Sequence, residues 1–308
     1  MRRRRVHALT PDQSGAGSLS SPVVAGKMKE GVEQLELLEQ RIGNMEFQTI
    51  IYEVKNQIAW LTFNRPESMN AINRQMARDI IEACRQTEED NNIRIAIFTG
   101  AGERAFSAGM DLKERAETGF SPIQRRNQKL TQTIHTQSRA IAAMTKPTIA
   151  AIRGYCVGGG LEMALACDLR VAAQDAKLGL TEVLRGLIPG AGGTQRLPRA
   201  IGVTKALELC LTGDTVSGSE AQKLGLVNTA VPGNELLQAA ENLANRILKG
   251  APMSVAFIKE AIKKGIELPL EEGLRLEADL SALVGITEDS KEGPRAFAEK
   301  RAPVWKGK

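Results

Sequence analysis

Histidine is nearly missing from this 308-residue chain: His7 and His135 are the only two. A multi-histidine metal site cannot be assembled from that inventory. A Ser-His-Asp or Cys-His mechanism would have to use His135, yet no nucleophile motif such as G-x-S-x-G accompanies it. Cysteine is scarce too. Cys84, Cys156, Cys167 and Cys210 are far apart, lack C-x-x-C spacing and sit among apolar neighbours. They read as reduced, buried thiols of an intracellular protein, which excludes a disulfide framework. No apolar run approaches the roughly 18 residues that cross a bilayer. Excess charge is also small, at net +5, too weak to mark a nucleic-acid surface. What is present is ordinary, with 42% hydrophobic and 25% charged residues. Such a composition argues against wholesale disorder and fibrous repeats, in a length that suits one large domain or two ordinary ones.

Residues 1–26 join the run Arg2–Arg5 to Ser, Gly and Pro without apolar periodicity, which predicts disorder. The apolar core of a secretory signal is missing. An organelle transit peptide is the alternative, because the segment is rich in Arg and Ser and poor in acid. The arginine block is not amphipathic, so an inert extension is favoured, and with it a cytoplasmic location over the mitochondrial matrix. A short helix over Glu30–Gln40 fits the sequence, making residues 1–44 a disordered or weakly helical extension. The compact part begins near Met45, a candidate natural initiator.

Alternating residues over Phe47–Val54 and Ile58–Asn64 predict a hairpin closed by Lys55-Asn56-Gln57. The spacing over Asn73–Asp90 predicts a helix with Met76, Ile80, Ile81 and Cys84 on one face. Ile93–Thr99 reads as a buried strand and Pro122–Met144 as a long helix stopped before Lys146-Pro147. Short strands follow at Thr148–Ile152, Leu169–Ala173 and Gly225–Val231. From Asn234 onward strands give way to helices at Glu235–Lys249, Pro252–Lys264, Leu270–Ile286 and Gly293–Lys300. Strand-helix units followed by a helical last third indicate α/β architecture, with a core over 45–233 and a helical region over 234–308.

Two glycine-rich segments each follow a strand: Phe106–Lys113 and Gly154–Ala164. Neither has the spacing of a dinucleotide fingerprint or a phosphate loop. Gly158–Gly160 before Leu161-Glu-Met-Ala can, however, open a helix whose first N–H groups are unscreened. Those donors lack intrahelical partners, and the helix dipole adds about half a positive charge there. One such N–H, with a second from the Ala108-Gly109-Met110 turn, would form a two-donor oxyanion hole. Tight turns chosen for positive φ are the other reading, and local pattern alone favours them.

Acidic residues add to this. Glu162 lies three residues beyond Gly159, about 4.5 Å along a helix axis. Glu182 stands ahead of the Gly/Pro loop Gly186–Arg196, which is expected to enter a helix at Thr194 and to hold Glu182 in a constrained apolar setting. Two carboxyl groups whose surroundings separate their pKa values can serve as base and acid. A solvated charge is the alternative for each alone.

Taken together, Asn64–Ala71, Phe106–Lys113, Gly158–Glu162, Glu182 and Ile188–Leu197 resemble the enoyl-CoA hydratase (crotonase) family in order and spacing. The similarity spans about residues 45–308. It implies a spiral of ββα units with a helical C-terminal region used for trimer formation, commonly as a dimer of trimers. It also implies an acyl-CoA thioester as substrate, with coenzyme A entering as part of it and no separate cofactor.

By the same resemblance, the oxyanion donors are the N–H groups of Met110 and Gly159, and the catalytic acids are Glu162 and Glu182. Met110 departs from the family's usual alanine, keeping the donor but adding bulk. Ala108, Asp111, Leu112 and Lys113 fall where the family lines the coenzyme A channel, Ser68 and Met69 where it approaches the adenine. Lys259 and Lys300 are weaker candidates for the nucleotide phosphates, with plain solvated charges as the alternative. The implied reaction is syn addition of water to a trans-2-enoyl-CoA. Related enzymes isomerise, hydrolyse or decarboxylate on the same scaffold. Simple isomerases generally keep one of the two glutamates, and dienoyl isomerases need an aspartate where Gly190 stands. Some homologues bind RNA through a lysine-rich first helix, but Arg74–Asp90 carries more acid than base. Arg185 is a candidate partner for a carboxylate on the acyl group, although a surface or inter-subunit salt bridge is the stronger reading. The stretch Glu114–Asn127 would cover the acyl pocket.

Overall fold

A computed structural model describes residues 47–118 and 136–308, and Phe47–Lys308 form one compact unit. The described residues open with the expected hairpin, β1 (Ile50–Lys55) against β2 (Ile58–Phe63). Asn56 and Gln57 both have positive φ, 51° and 66°, as a two-residue turn matched to strand twist requires. Helix α1 (Arg74–Glu89) follows, its N-terminus capped by the Asn73 side chain on the Met76 N–H. Its inner face holds Met76, Ile80, Ala83, Cys84 and Thr87. Ile81 is only half-buried, because a 3.6-residue period carries it off the stripe that Ile80 and Cys84 define.

Thereafter the chain winds as a spiral. β3 (Ile95–Gly100) is followed by β4 (Ala105–Ser107), β5 (Thr148–Ile152) by β6 (Tyr155–Val157), and β7 (Leu169–Ala173) by β8 (Lys177–Gly179). The first strand of each pair joins a six-stranded sheet of order β1-β2-β3-β5-β7-β10, with β10 at Thr229–Val231. The second joins a four-stranded sheet of order β4-β6-β8-β9, with β9 at Val216–Ser217. Helices α2 (Leu112–Thr118), α3 (Thr136–Ala143) and α4 (Gly159–Ala166) return the chain between turns. After β8 come a 3-10 turn (Glu182–Arg185), α5 (Gly193–Ile201), α6 (Val203–Thr212), β9 and α7 (Gly218–Lys223). Beyond β10 only helices remain: α8 (Leu236–Leu248), α9 (Pro252–Gly265), α10 (Leu270–Gly285) and α11 (Glu288–Ala298). This is the spiral of ββα units with a helical last third.

Parallel strands buried on both faces explain the continuous apolar runs in β3 and β5. Ile95, Ile97, Ile149 and Val171 pack on α8 through Leu236, Ala240 and Ala244. Phe98, Ala150 and Ile152 face the larger core with Phe63, Phe106, Met76 and Leu161. Cys84, Cys156 and Cys167 are buried free thiols in that core, and burial pushes the pKa of each upward.

Two expectations needed correction. The strand expected over Gly225–Val231 is confined to Thr229–Val231, since Gly225 (φ 76°) closes the turn after α7. The last helix starts at Glu288 rather than Gly293, because the Thr287 side chain caps it on the Ser290 N–H. Two- and three-residue strands of the small sheet carry too few residues to show a period, and sequence reading missed all four. Residues 1–46 and the first part of the helix expected over Pro122–Met144 lie outside the described residues.

Candidate active site

Helix α4 begins beside the turn that follows β4. Gly109 bends that turn with φ 85°, and a Cβ there would fall 2.8 Å from the Val157 carbonyl and 3.0 Å from the Gly159 nitrogen. Only glycine permits this approach. The turn is pinned on both sides of Met110: Ile72 donates its N–H to the Gly109 carbonyl at 2.7 Å, and Asp111 donates to the Ile72 carbonyl at 3.0 Å. Below it, the Gly109 N–H donates to Ser107 Oγ at 3.2 Å, which donates to the Asn70 carbonyl at 2.8 Å. A Cβ on Gly159 would stand 3.6 Å from the Met110 nitrogen, so the two amides are neighbours. Neither the Met110 nor the Gly159 N–H has an acceptor among the described residues.

Both acids sit at this end of α4. Glu162 is 3% exposed, and its Oε1 accepts the N–H groups of Ala191 at 2.6 Å and Gly193 at 2.9 Å. The Gly/Pro loop therefore grips Glu162, not Glu182 as the sequence suggested, and its helix starts at Gly193, one residue before Thr194. That misassignment has a plain cause: the loop follows Glu182 in sequence, but folding turns its amides toward α4. Glu182 is half-buried, and its carboxylate lies 3.4 Å from where a Gly158 Cβ would be. Its Oε2 is buried without a hydrogen-bond partner. Burial, reinforced by the charge of Glu162, raises its pKa to about 7, against the opposing effects of its own backbone N–H and Arg185. A carboxyl group poised near neutrality suits proton transfer.

The candidates for the coenzyme A channel gather around the same turn. The Ala108 N–H donates to the Met69 carbonyl at 2.9 Å, joining the Ser68–Met69 bend to the turn. Ser68 Oγ donates to the Arg65 carbonyl, and Met69 adopts φ 54° with its side chain exposed. Leu112 and Lys113 are exposed on the first turn of α2. Asp111 is otherwise committed: it caps α2 and pairs with Arg65 at 3.0 Å. Burial would raise its pKa, but Arg65 and the α2 amides hold it below the usual carboxylate range.

Of the remaining candidates, Lys259 is not a plain solvated charge. Its ammonium lies 2.6 Å from Asp168 and donates to the Lys146 carbonyl, with 11% of its side chain exposed. Lys300 is exposed beyond α11 with φ 54°. Arg185 is exposed and bonds to Thr181 in its own turn, making no ion pair among the described residues. Residues 119–127 of the expected pocket cover lie outside the described residues. Sequence reading missed Arg65, Asn70 and Ser107, which shape the turn. Asn70 has φ 53° and bonds to the Arg65 N–H and the Ala101 and Ala105 carbonyls, so an Asn after a short 3-10 turn was the available signal.

Among the described residues no group of His, Cys, Asp and Glu could hold a metal ion, and no helix is long and apolar enough to cross a membrane.

Comparison with known proteins places these features in context. The family model described as enoyl-CoA hydratase/isomerase matches residues 53–308. The chain is 42% identical to the (E)-benzylidenesuccinyl-CoA hydratase of Thauera aromatica, over 84% of this chain and 99% of that protein. It is 46% identical to the mitochondrial enoyl-CoA hydratase domain-containing protein 2 of Bos taurus, over 81% of this chain and 84% of that one. Among solved structures, the enoyl-CoA hydratase of Bacillus anthracis superposes with a TM-score of 0.80 at 42% identity, covering 85% of this chain and all of that one.

Proposed function

The chain belongs to the enoyl-CoA hydratase/isomerase family, and on that footing we propose that it hydrates trans-2-enoyl-CoA thioesters to 3-hydroxyacyl-CoA, reversibly and with syn geometry. One observation carries this reading above all: two carboxyl groups in unlike settings flank the end of α4, one gripped by two loop amides and one with a buried oxygen left unpaired and a pKa near 7.

The Met110 and Gly159 N–H groups receive the thioester oxygen and stabilise the enolate charge that develops on it. Removal of one such donor typically costs about 3–4 kcal/mol of barrier. Glu162, fixed by its two amides, takes a proton from water as that water adds to Cβ. Glu182, in its protonated form, delivers a proton to Cα. The isolated N–H donors at the start of a helix favour the negative oxygen further, since the dipole is positive there. These steps use the chain's own residues and no separate cofactor. Ser68, Met69, Ala108, Leu112 and Lys113 would approach the coenzyme A portion, with Asp111 shaping that wall through Arg65. A homotrimer, or a dimer of trimers, is the assembly we favour. Exposed Ile258, Ile262, Ile266 and Leu270 on the C-terminal helices support it, as apolar side chains that a neighbouring subunit would cover. The cytoplasm is the compartment we favour.

Loss of enoyl absorbance across a panel of 2-enoyl-CoA esters, with 3-enoyl esters included, tests the proposal. Hydration of a 2-enoyl ester supports it. Conversion of 3-enoyl esters without hydration would replace it with an isomerase reading.

A further inference from the structure

Arg170, the second residue of β7, spends its hydrogen bonds on main-chain carbonyls. Nη1 donates to Cys167 at 2.9 Å and to Ala164 at 3.2 Å, and Nε donates to Leu226 at 2.7 Å. Ala164 lies in the last turn of α4 and Cys167 is its C-cap. Sparsely solvated guanidinium groups ordinarily sit against carboxylates. Burial here lowers the pKa of Arg170 from its usual value, against the charges of Cys167 and Asp168, which act the other way. That cost is met at the end of one particular helix.

Helix α4 is only eight residues long, about 12 Å, and carries Gly159 and Glu162 on its first turn. At that first turn Gly160 lies so close to β4 that a Cβ would fall 2.3 Å from the Ser107 carbonyl. The helix is therefore stopped by backbone at one end and held by Arg170 at the other. A cation at the C-terminal end also complements the dipole whose positive pole is at Gly159.

We infer that Arg170 is a positioning residue for the reaction: by holding the last turn of α4 it sets where the Gly159 amide and Glu162 stand relative to the thioester. The inference rests on the hydratase reading, in which those groups act on one substrate. Misplacement by about 1 Å costs on the order of 100-fold in rate.

Three variants test it. Arg170→Lys keeps the charge but loses the planar fork that holds the α4 carbonyls through Nη1 and anchors Nε on the Leu226 carbonyl. Gly225→Ala leaves every side chain of the clamp in place and strains only the turn before Leu226, where φ is 76°. Arg94→Lys is the reference, since Arg94 likewise donates to main-chain carbonyls, those of Leu248 and Gly250, but at the end of α8. For each, kcat and KM are measured on the enoyl-CoA turned over fastest. The infrared carbonyl frequency of its saturated counterpart is measured when bound.

The expected result for Arg170→Lys is a 10- to 100-fold lower kcat at roughly unchanged KM. Its bound carbonyl frequency should also return part of the way toward the value in water. Gly225→Ala should move both readouts the same way by about threefold, and Arg94→Lys should move neither. Wild-type kcat and a full carbonyl shift in folded Arg170→Lys would overturn the inference. If that variant does not fold, the same result in Gly225→Ala would overturn it. A wild-type protein that binds the saturated ester without lowering its carbonyl frequency would bring down the hydratase reading, and the inference with it.

Discussion

The two ends of helix α4 follow opposite rules. At the C-terminal end Arg170 serves the last carbonyls, and Asp168 accepts from the Thr148 N–H and hydroxyl and from Lys259 and Lys263. Burial pushes the Asp168 pKa up, yet the two lysines hold it below the usual range. At the N-terminal end the Met110 and Gly159 amides and Glu182 Oε2 lack partners among the described residues. An unpaired buried polar atom is costly and rare, so Glu182 Oε2, with two open amides beside it, needs an explanation. A substrate that completes them supplies one. The comparison teaches that the chain spends its polar groups on itself where position matters and withholds them where a ligand must bind.

Several substitutions would sharpen or break that contrast. The largest effect is expected from Glu162→Gln, which keeps an oxygen for the Ala191 and Gly193 amides but cannot take a proton. Turnover should fall by about 100- to 10,000-fold while thioester affinity persists. Near wild-type turnover in steady-state assays would remove Glu162 from the mechanism. Next is Gly109→Ala, whose Cβ would meet the Val157 carbonyl at 2.8 Å and part the two amides. A loss of about 100-fold in kcat is expected from displacing one donor.

The pH profile should come third. Glu182 must be protonated to donate, and its pKa is raised from 4.5 to about 7, so kcat should be high below pH 7 and fall about tenfold per unit above it. The same shift means that the folded state binds this proton more tightly than the unfolded one, so stability from this group is lost as pH rises through 7. Glu182→Gln should remove both dependences along with most of the turnover. A kcat that rises through pH 7 instead would contradict the donor role.

The smallest catalytic effect belongs to the opposite end. Asp168→Asn strips the counter-charge from Lys259 and Lys263, and should cost about 2–4 kcal/mol. For a chain of this size that amounts to a fall in Tm of roughly 3–7 °C, readable by calorimetry. Its bonds run to β5 and α9 rather than to the carbonyls of α4, so kcat should stay within about threefold. A collapse of kcat at unchanged Tm would erase the distinction between the two ends.

Much of this was legible in the residues. Thr148–Ile152 and Leu169–Ala173 form strands at the expected bounds, because short β-rich runs beside Gly and Pro state their own limits. Gly158–Gly160 before an apolar helix announced an exposed helix start, and Glu162 followed at a fixed distance along it. The small sheet was not legible, since strands of two or three residues have no period to read. Nor was the partner of Lys259, whose neighbour Asp168 is 91 positions away in the chain.

By itself, then, the sequence determined local conformation: which segments are helix or strand, where glycine lets backbone approach backbone, and which acids stand near a helix tip. Those outcomes depend on interactions among residues a few positions apart. Only the tertiary structure decided that the loop amides grip Glu162 and leave Glu182 Oε2 unpaired, and that Arg170 closes the far end of α4. Such pairings are set by how successive turns of the spiral stack, and no local period encodes which distant backbone groups that stacking brings face to face.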